Sequence, residues 1–180
     1  GIENDNMLLI VGDGRKVALD PQLVGLDEFS AKVTAFADRA AATYHQDKDR
    51  TFGDLARPGG FQLVFCDLGT PHPSDPQTYG RIRKALIDRG VPATRIRFIH
   101  EATTDKGRAA LFASCRDGDV SFLIGSTPKV GMGTNVQTRL TDVWHLDAPW
   151  LPSEMIQRDG RGIRHGNLSG TVRIRRVVVE

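Results

Sequence analysis

The feature that most constrains the fold of this chain is a series of short apolar runs after residue 60. The runs at 61–66 (FQLVFC), 95–100 (RIRFIH) and 120–125 (VSFLIG) have the length and composition of strands, and the first and third suit burial on both faces. Two further strand-like runs follow at 142–147 and 171–179. The sequence therefore predicts five strands in this part of the chain.

Helical segments lie between these runs. Residues 77–89 and 104–116 are predicted to form helices, and helical turns are expected between the later strands. Alternating strands and helices are typical of an α/β fold, a three-layer sandwich with a mainly parallel sheet. We expect residues 61–180 to form this domain and residues 1–60 to lead into it.

The first 60 residues carry two predicted elements and a loop. The apolar runs 7–11 and 16–19 flank Gly12-Asp13-Gly14, which is turn chemistry that predicts a short antiparallel ribbon. Apolar residues then recur at spacings of three and four over 26–44, which predicts a helix ending near residue 45. The polar segment 46–60 is predicted to be a surface loop.

Charge and composition exclude several classes of protein. The net charge is +2, from 24 basic and 22 acidic residues, so contact with nucleic acid has to come from a local patch. The sequence has no apolar run long enough for a membrane span and no secretion signal, which favours a cytoplasmic protein. Cys66 and Cys115 lack a CxxC partner, and the spacing of the five histidines matches no ligand pattern. We expect no disulfide and no metal bound by this chain itself.

A glycine-rich loop follows the third predicted strand. Residues 125–135 (GSTPKVGMGTN) combine glycines, hydroxyls and an ammonium group, a mixture that suits phosphate oxygens. The loop contains neither the GxxxxGK[ST] pattern of a triphosphate cradle nor the GxGxxG pattern of dinucleotide-binding domains. A simple turn between two elements is the alternative interpretation.

The segment 157–167 (QRDGRGIRHGN) carries the strongest signal. On a helical turn Gln157, Arg161 and Arg164 project to one side, so an amide and two guanidinium groups can converge on one target. Over residues 157–176 there are six arginines and one acid, a local balance of +5. This segment is either a binding patch or a set of solvated arginines on a surface helix.

These motifs resemble those of a known enzyme family. GSTPKVGMGTNVQ, followed by DVWHLDAPWLPSEMIQRDGRGIRHGN, resembles motifs V, Va and VI in the second RecA-like lobe of superfamily-two helicases, particularly the Swi/Snf-type DNA translocases. FQLVFCDLGTP resembles motif IV. The opening DNMLLIVGDGRKVALD is similar to large bacterial and phage proteins that join such a helicase to a DNA adenine methylase. The resemblance covers nearly the whole chain and implies a RecA-like fold.

The resemblance implies catalytic roles in motif VI. Arg161 and Arg164 match the paired arginines that act in the family as arginine fingers on the γ-phosphate, and Gln157 matches the glutamine that opens the motif. An arginine finger is typically worth about 10³ to 10⁵ in rate. The residues that match the part of motif V facing the nucleotide and the partner lobe are Gly131, Gly133 and Asn135.

The resemblance also implies contacts to nucleic acid. Ser126, Thr127 and Lys129 match the part of motif V that touches the DNA backbone. Thr70, directly after motif IV, and Arg108, in the helix after the second strand, occupy places that in related helicases contact a nucleic-acid strand or support motif V. Such contacts are mainly to phosphates and are largely independent of base sequence.

The function implied is that of the second motor lobe of an ATP-dependent DNA helicase or translocase. ATP and Mg²⁺ are expected to bind mainly to a first lobe outside this sequence, so the chain alone is expected to be inactive as an ATPase. The expected partners are the DNA backbone, the N-terminal lobe and a fused DNA methylase. The start at Gly1 and the end at Glu180 favour an excised fragment.

Two alternatives and one residue stay open at this point. The first alternative is a non-catalytic α/β module that binds nucleic acid or protein through the arginines of residues 157–176, which we call the basic strip. The second is a Rossmann-type domain, which is disfavoured because the GxGxxG pattern is absent. Asp147, at the end of the fourth predicted strand, either hydrogen-bonds to motif VI or forms a turn.

Overall fold

The predicted parallel sheet is present in the computed structural model, which describes residues 7–75, 77–130, 135–149, 152–162 and 165–178. Its strands are β1 Phe61–Phe65, β2 Ile96–Phe98, β3 Phe122–Gly125, β4 Leu140–His145 and β5 Arg173–Arg176. They lie in the order β2-β3-β1-β4-β5, and every neighbouring pair is parallel. The five predicted strands and their parallel arrangement are confirmed.

Helices cover both faces of this sheet. The α-helices of the described residues are α1 Met7–Leu19, α2 Ala31–Asp47, α3 Gln77–Ile87, α4 Asp105–Asp117, α5 Thr127–Val130 and α6 Pro152–Gly162. Helices α2 and α3 share one buried cluster with the sheet, and α4 and α5 share the other. None of these helices is both long and apolar enough to cross a membrane.

Strand β1 lies in the middle of the sheet, and its apolar residues are buried on both faces. Val64 belongs to the cluster under α2 and α3, whereas Phe65 belongs to the cluster under α4. The polar exception, Gln62, donates to the carbonyl of Ala40 at 3.0 Å and accepts from the indole of Trp144 at 2.8 Å. The amide is therefore satisfied inside the core, as a buried polar group must be.

The predicted N-terminal ribbon is wrong, because Met7–Leu19 forms the single helix α1. Asp13 and Lys16 form an i,i+3 ion pair on this helix at 2.9 Å. Leu19, at its end, is buried in the core cluster of α2. An isolated two-stranded ribbon is at best marginally stable in water, whereas a helix buries Leu19 while satisfying its own backbone.

The helix predicted from residue 26 begins later, at Ala31, because Ser30 caps it. The Ser30 hydroxyl accepts from the backbone N–H of Val33 at 2.9 Å and donates to the carbonyl of Leu19 at 2.5 Å. Such a side chain satisfies a free N–H at the helix start and fixes where the helix begins. Leu26 and Phe29 therefore precede the helix, and Phe29 is 96% exposed.

Candidate nucleotide and nucleic-acid interface

Three loops and one helix meet at the carboxyl edge of the sheet. Since all strands are parallel, the residues that follow β1, β3 and β4 emerge on the same side. Asp67 follows β1, Thr127 opens α5 after β3, and Asp147 follows β4. Helix α6, which carries the predicted motif VI, comes next in the chain.

The side chain of Arg158 on α6 connects all three loops. Its Nη2 lies 2.5 Å from Oδ2 of Asp67 and 3.1 Å from Oδ1 of Asp147. Its Nε donates to the hydroxyl of Thr127 at 2.6 Å, and its Nη1 donates to the backbone carbonyl of Asp147 at 2.9 Å. The guanidinium is fully buried, so these contacts are shielded from water. We call these four residues the Arg158 cluster.

The two carboxylates of the Arg158 cluster also hold backbone N–H groups. Oδ2 of Asp147 accepts from the N–H groups of Asp67 at 2.6 Å and Leu68 at 2.8 Å, and Oδ1 of Asp67 accepts from that of Thr127 at 2.5 Å. Burial raises the pKa of Asp147, and the charge of Arg158 opposes that shift. The hydrogen bond between Asp147 and motif VI, one of two possibilities in the sequence, is present.

A second contact attaches α6 to the sheet. Nε2 of His145, at the end of β4, lies 2.8 Å from Oδ1 of Asp159. The imidazole is buried and stacks on Phe65 with ring centroids 5.7 Å apart. Burial lowers the pKa of His145, although the hydrogen bond and charge of Asp159 oppose the shift. The ring is therefore a neutral donor to Asp159 near pH 7.

The lowered pKa of His145 predicts that acid weakens the fold. Because the folded chain binds this proton less strongly than the unfolded chain, whose histidines titrate near about 6.5, stability falls as the pH drops below that value. Replacing His145 with glutamine keeps an N–H donor for Asp159 but removes the titration. Urea unfolding at pH 7.5 and pH 5.5 is expected to show a smaller loss of stability in His145→Gln than in the wild type. Equal losses in the two proteins would contradict the assignment.

In the part of the predicted basic strip (residues 157–176) whose side chains are described, the arginines form ion pairs. Arg173 and Arg175 both bind the buried carboxylate of Asp142, at 2.9 Å and 2.6 Å. Arg176 lies 3.6 Å from Asp159. Together with Arg158, every arginine of the strip whose side chain is described has an acidic partner. The local count of +5 overstated the available charge, because Asp67, Asp142 and Asp147 precede the strip in sequence.

The motif V residues have different environments. Ser126 is buried, and the hydroxyl of Thr127 both donates to Asp67 at 3.0 Å and accepts from Arg158. Lys129 is exposed and forms no ion pair with any residue that the structure describes. Of the three predicted DNA contacts in this motif, Lys129 is therefore the side chain best placed to bind a phosphate.

Gly125, directly before these residues, lies where no side chain fits. A Cβ at this position would lie 2.4 Å from Cγ2 of Val130 and 2.7 Å from Cγ2 of Ile99. The close approach brings α5 against the segment that follows β2. The glycine therefore allows the motif V turn to pack tightly at the sheet edge.

Of the other predicted site residues, Thr70 and Arg108 lie around the same edge, whereas Asn135 lies toward the amino ends of the strands, where its backbone carbonyl accepts from Arg116 in the last turn of α4 at 2.7 Å. Thr70 is half-buried in the loop after β1, and Arg108, in the first turn of α4, forms an ion pair with the exposed Asp105 at 2.7 Å. Asn135 and Gln157 are exposed. Arg161 belongs to α6, but its side chain lies outside the described residues, as do the whole of Arg164, Gly131 and Gly133.

Sequence reasoning missed the roles of Arg158 and Asp67. Both stand beside predicted motifs, Arg158 next to Gln157 and Asp67 directly after the first strand. The available signal was the placement of acidic residues at the carboxyl ends of two strands. Only the tertiary fold shows which arginine they bind.

Comparison with known proteins defines the class. Residues 63–166, more than half of the chain, match the helicase conserved C-terminal domain. The chain belongs to this family, and its fold is that of the C-terminal RecA-like lobe of a superfamily-two helicase.

Individual proteins share part of this sequence or its fold. A stretch of 68 residues is 34% identical to the defense against restriction protein B of Escherichia phage P1, covering 38% of this chain and 3% of that protein. The crystal structure of the DUF1998 helicase MrfA bound to DNA is similar over 86% of this chain and 19% of that chain, with a TM-score of 0.55 and 16% identity. The C-terminal domain of the DEAD-box protein Dbp5 is similar over 81% and 72%, with a TM-score of 0.50 and 20% identity. The likeness to these two structures is one of fold.

Proposed function

We propose that this chain is the second motor lobe of an ATP-dependent DNA helicase or translocase. The observation that carries the proposal is the Arg158 cluster, which holds the loops after β1, β3 and β4 against α6. These are the segments that resemble motifs IV, V and VI, so one edge of the sheet presents all three. Residues 1–60 lead into this lobe, and residues 61–180 form it.

The polar groups at this edge suit the γ-phosphate end of ATP rather than its metal ion. Asp67 and Asp147 are occupied by Arg158 and by backbone N–H groups, which leaves neither carboxylate free for Mg²⁺. The exposed polar side chain next to Arg158 on α6 is Gln157, a hydrogen-bond donor. This chain therefore contributes donors and cations, and a first lobe contributes the metal site and most of the nucleotide site.

Motif VI supplies the catalytic groups in this proposal. Gln157, Arg161 and Arg164 hydrogen-bond to the terminal phosphate when the two lobes close, and the guanidinium groups stabilise the charge that develops during transfer. ATP supplies the phosphoryl group whose transfer to water drives the cycle. The resemblance alone assigns Gly131, Gly133 and Asn135 to the part of motif V that faces the nucleotide and the first lobe.

Motif V and the loop after β1 supply the DNA contacts. Lys129 binds a phosphate with its exposed ammonium group, and Thr70 and Arg108 extend the contact along the strand. Ser126 and Thr127 contribute backbone N–H groups and hold the loop in place, since Ser126 is buried and the Thr127 hydroxyl is bonded internally. The resemblance favours translocation on duplex DNA over strand separation.

The alternative of a non-catalytic module bound through the arginines of residues 157–176 has less support from the described part of the chain. The arginines described there each have an acidic partner, which leaves such a module only Arg161 and Arg164, whose side chains lie outside the described residues. A cytoplasmic location and a fused DNA methylase remain part of the proposal. Sequencing the gene on both sides of this segment tests for the methylase and for the first lobe.

The direct test compares ATP hydrolysis by the 180-residue chain with hydrolysis by the longer protein that contains it. We expect the longer protein to hydrolyse ATP and to be stimulated by duplex DNA. The 180-residue chain is expected to show no turnover above that of a heat-denatured sample, because it lacks the nucleotide site of the first lobe. Robust DNA-stimulated hydrolysis by the chain alone would overturn the proposal, as would a longer protein without ATPase activity.

A further inference from the structure

The Arg158 cluster contacts both sides of the proposed motor interface. Toward the DNA side, Arg158 binds Asp67, three residues before Thr70, and Thr127, two residues before Lys129. Toward the nucleotide side, Arg158 is next to Gln157 and belongs to the same helix as Arg161. A single buried side chain thus connects the loops proposed to grip DNA with the helix proposed to reach the γ-phosphate.

The geometry makes this connection stiff. The guanidinium is planar, is fully buried and uses Nε, Nη1 and Nη2 at the same time. Its carbon lies 5.4 Å from the centre of the Phe65 ring, which restricts movement on one side. The carboxylates that it binds are themselves fixed by backbone N–H groups of Thr127, Asp67 and Leu68. Thr127, at the start of motif V, cannot shift without moving Arg158 or breaking a buried charged contact.

Helix α6 has a different kind of attachment through Asp159. That residue binds His145 at the end of β4 and lies 3.6 Å from Arg176 of β5, so it anchors the helix to the sheet itself. Arg158 instead binds residues that follow β1, β3 and β4 and belong to no strand. The attachment through Asp159 holds α6 on the sheet. The attachment through Arg158 makes the position of α6 depend on the loops after β1, β3 and β4.

We infer that Arg158 is a positioning residue that couples DNA contact at the loops after β1 and β3 to the placement of α6. The inference rests on the proposed function, because it assumes that DNA and ATP bind on these two sides. Arg158 touches neither ligand, and it acts through Thr127, Asp67 and Asp147. Its loss is expected to uncouple ATP turnover from DNA rather than to abolish DNA binding.

The test uses Arg158→Lys in the longer protein, with Arg89→Lys as the matched control. Lysine keeps the charge for the two carboxylates but cannot reproduce the planar fork. Arg89, in the turn after α3, pairs with the exposed Asp38 of α2, away from the cluster, and a lysine there can keep that pair. Amide exchange over residues 152–160 is measured with and without a duplex oligonucleotide, together with DNA affinity and with ATP turnover in both states.

In the wild type and in Arg89→Lys, DNA is expected to slow amide exchange in α6. Arg158→Lys is expected to lose this response, and its ratio of DNA-stimulated to basal turnover is expected to fall by about 10-fold, within the range of about 5- to 150-fold for coupling between two sites. DNA affinity is expected to stay within about 3-fold of wild type, because the phosphate contacts that dominate such binding remain.

Thr127→Val removes the same link from the loop side without changing any charge. Its effect on the turnover ratio and that of Arg158→Lys are expected to be non-additive in the double variant, whereas Thr127→Ser keeps the hydroxyl and restores coupling. If Arg158→Lys does not fold, the inference is tested by comparing Thr127→Val with Thr127→Ser.

Several outcomes would overturn the inference. The first is that DNA slows amide exchange in α6 of Arg158→Lys as much as in the wild type. The second is an equal fall of basal and DNA-stimulated turnover in Arg158→Lys, since that result indicates a purely structural role. The third is that DNA does not slow amide exchange in α6 of the wild type. If α6 responds to DNA through Arg158 but the wild type hydrolyses no ATP, the coupling stands and the proposed function fails.

Discussion

Replacing Arg161 or Arg164 with alanine in the longer protein is expected to lower kcat for ATP hydrolysis by about 10³-fold or more, the lower end of the contribution of an arginine finger. The reason is that each guanidinium stabilises charge only as the phosphoryl group is transferred, so the loss falls on the chemical step. DNA affinity is expected to change little, because the proposed phosphate contacts lie on motif V, on the loop after β1 and on α4 rather than on motif VI. Steady-state kinetics and DNA titration measure the two effects.

The matched control for these variants is Arg89→Ala. It also removes one arginine, from the turn after α3, where Arg89 pairs with the exposed Asp38 of α2. Wild-type turnover is expected in this control. Unchanged turnover in Arg161→Ala and Arg164→Ala would remove the catalytic assignment of motif VI, and a parallel loss of DNA affinity would place these arginines on the DNA side instead.

The sheet could be predicted from the sequence because its evidence is local. A run such as FQLVF, apolar over five residues apart from one glutamine, is typical of a strand buried on both faces, and the helices between runs require parallel crossovers. The edges of elements were less predictable. Ser30 moves the start of α2 to Ala31, and its hydroxyl bond to Leu19 depends on an element eleven residues away.

The N-terminal ribbon failed for a related reason. Gly12-Asp13-Gly14 favours a turn but is also tolerated inside a helix, where a glycine costs about 1 kcal/mol relative to alanine. The segment instead forms a helix whose last residue, Leu19, enters the core. Local turn propensity does not decide between a ribbon and a helix, because the choice depends on what the segment packs against.

The candidate site was predictable in its location but not in its charge balance. The start of the glycine-rich loop, at Thr127, and the start of the arginine segment, at Arg158, both fall at the carboxyl edge of the sheet, as the topology requires. From the sequence, however, Arg158 and Arg173 count as free charges like any others. Arg173 binds Asp142, which lies 31 residues earlier, and Arg158 binds Asp67, which lies 91 residues earlier. Such pairs form only when the sheet brings distant segments together.

Replacing Asp147 with alanine is expected to cost about 3–5 kcal/mol of folding free energy, the usual cost of removing one partner from a buried ion pair. The variant leaves Arg158 short of a carboxylate in a fully buried place. It also leaves the backbone N–H groups of Asp67 and Leu68 without the oxygen that accepts from both. Urea unfolding of the 180-residue chain measures the change.

Asp147→Asn separates the two contributions of this carboxylate. Burial raises the pKa of Asp147, which shows that its charge is held at a cost in solvation. Besides its charge, the carboxylate provides Oδ2 as an acceptor for two backbone N–H groups, and an asparagine oxygen can still accept from Asp67 and Leu68. We expect Asp147→Asn to be clearly less destabilising than Asp147→Ala. Equal destabilisation of the two variants would contradict this prediction and would show that the charge pair with Arg158 holds the loops together. If neither variant is destabilised, the Arg158 cluster does not fix the loops.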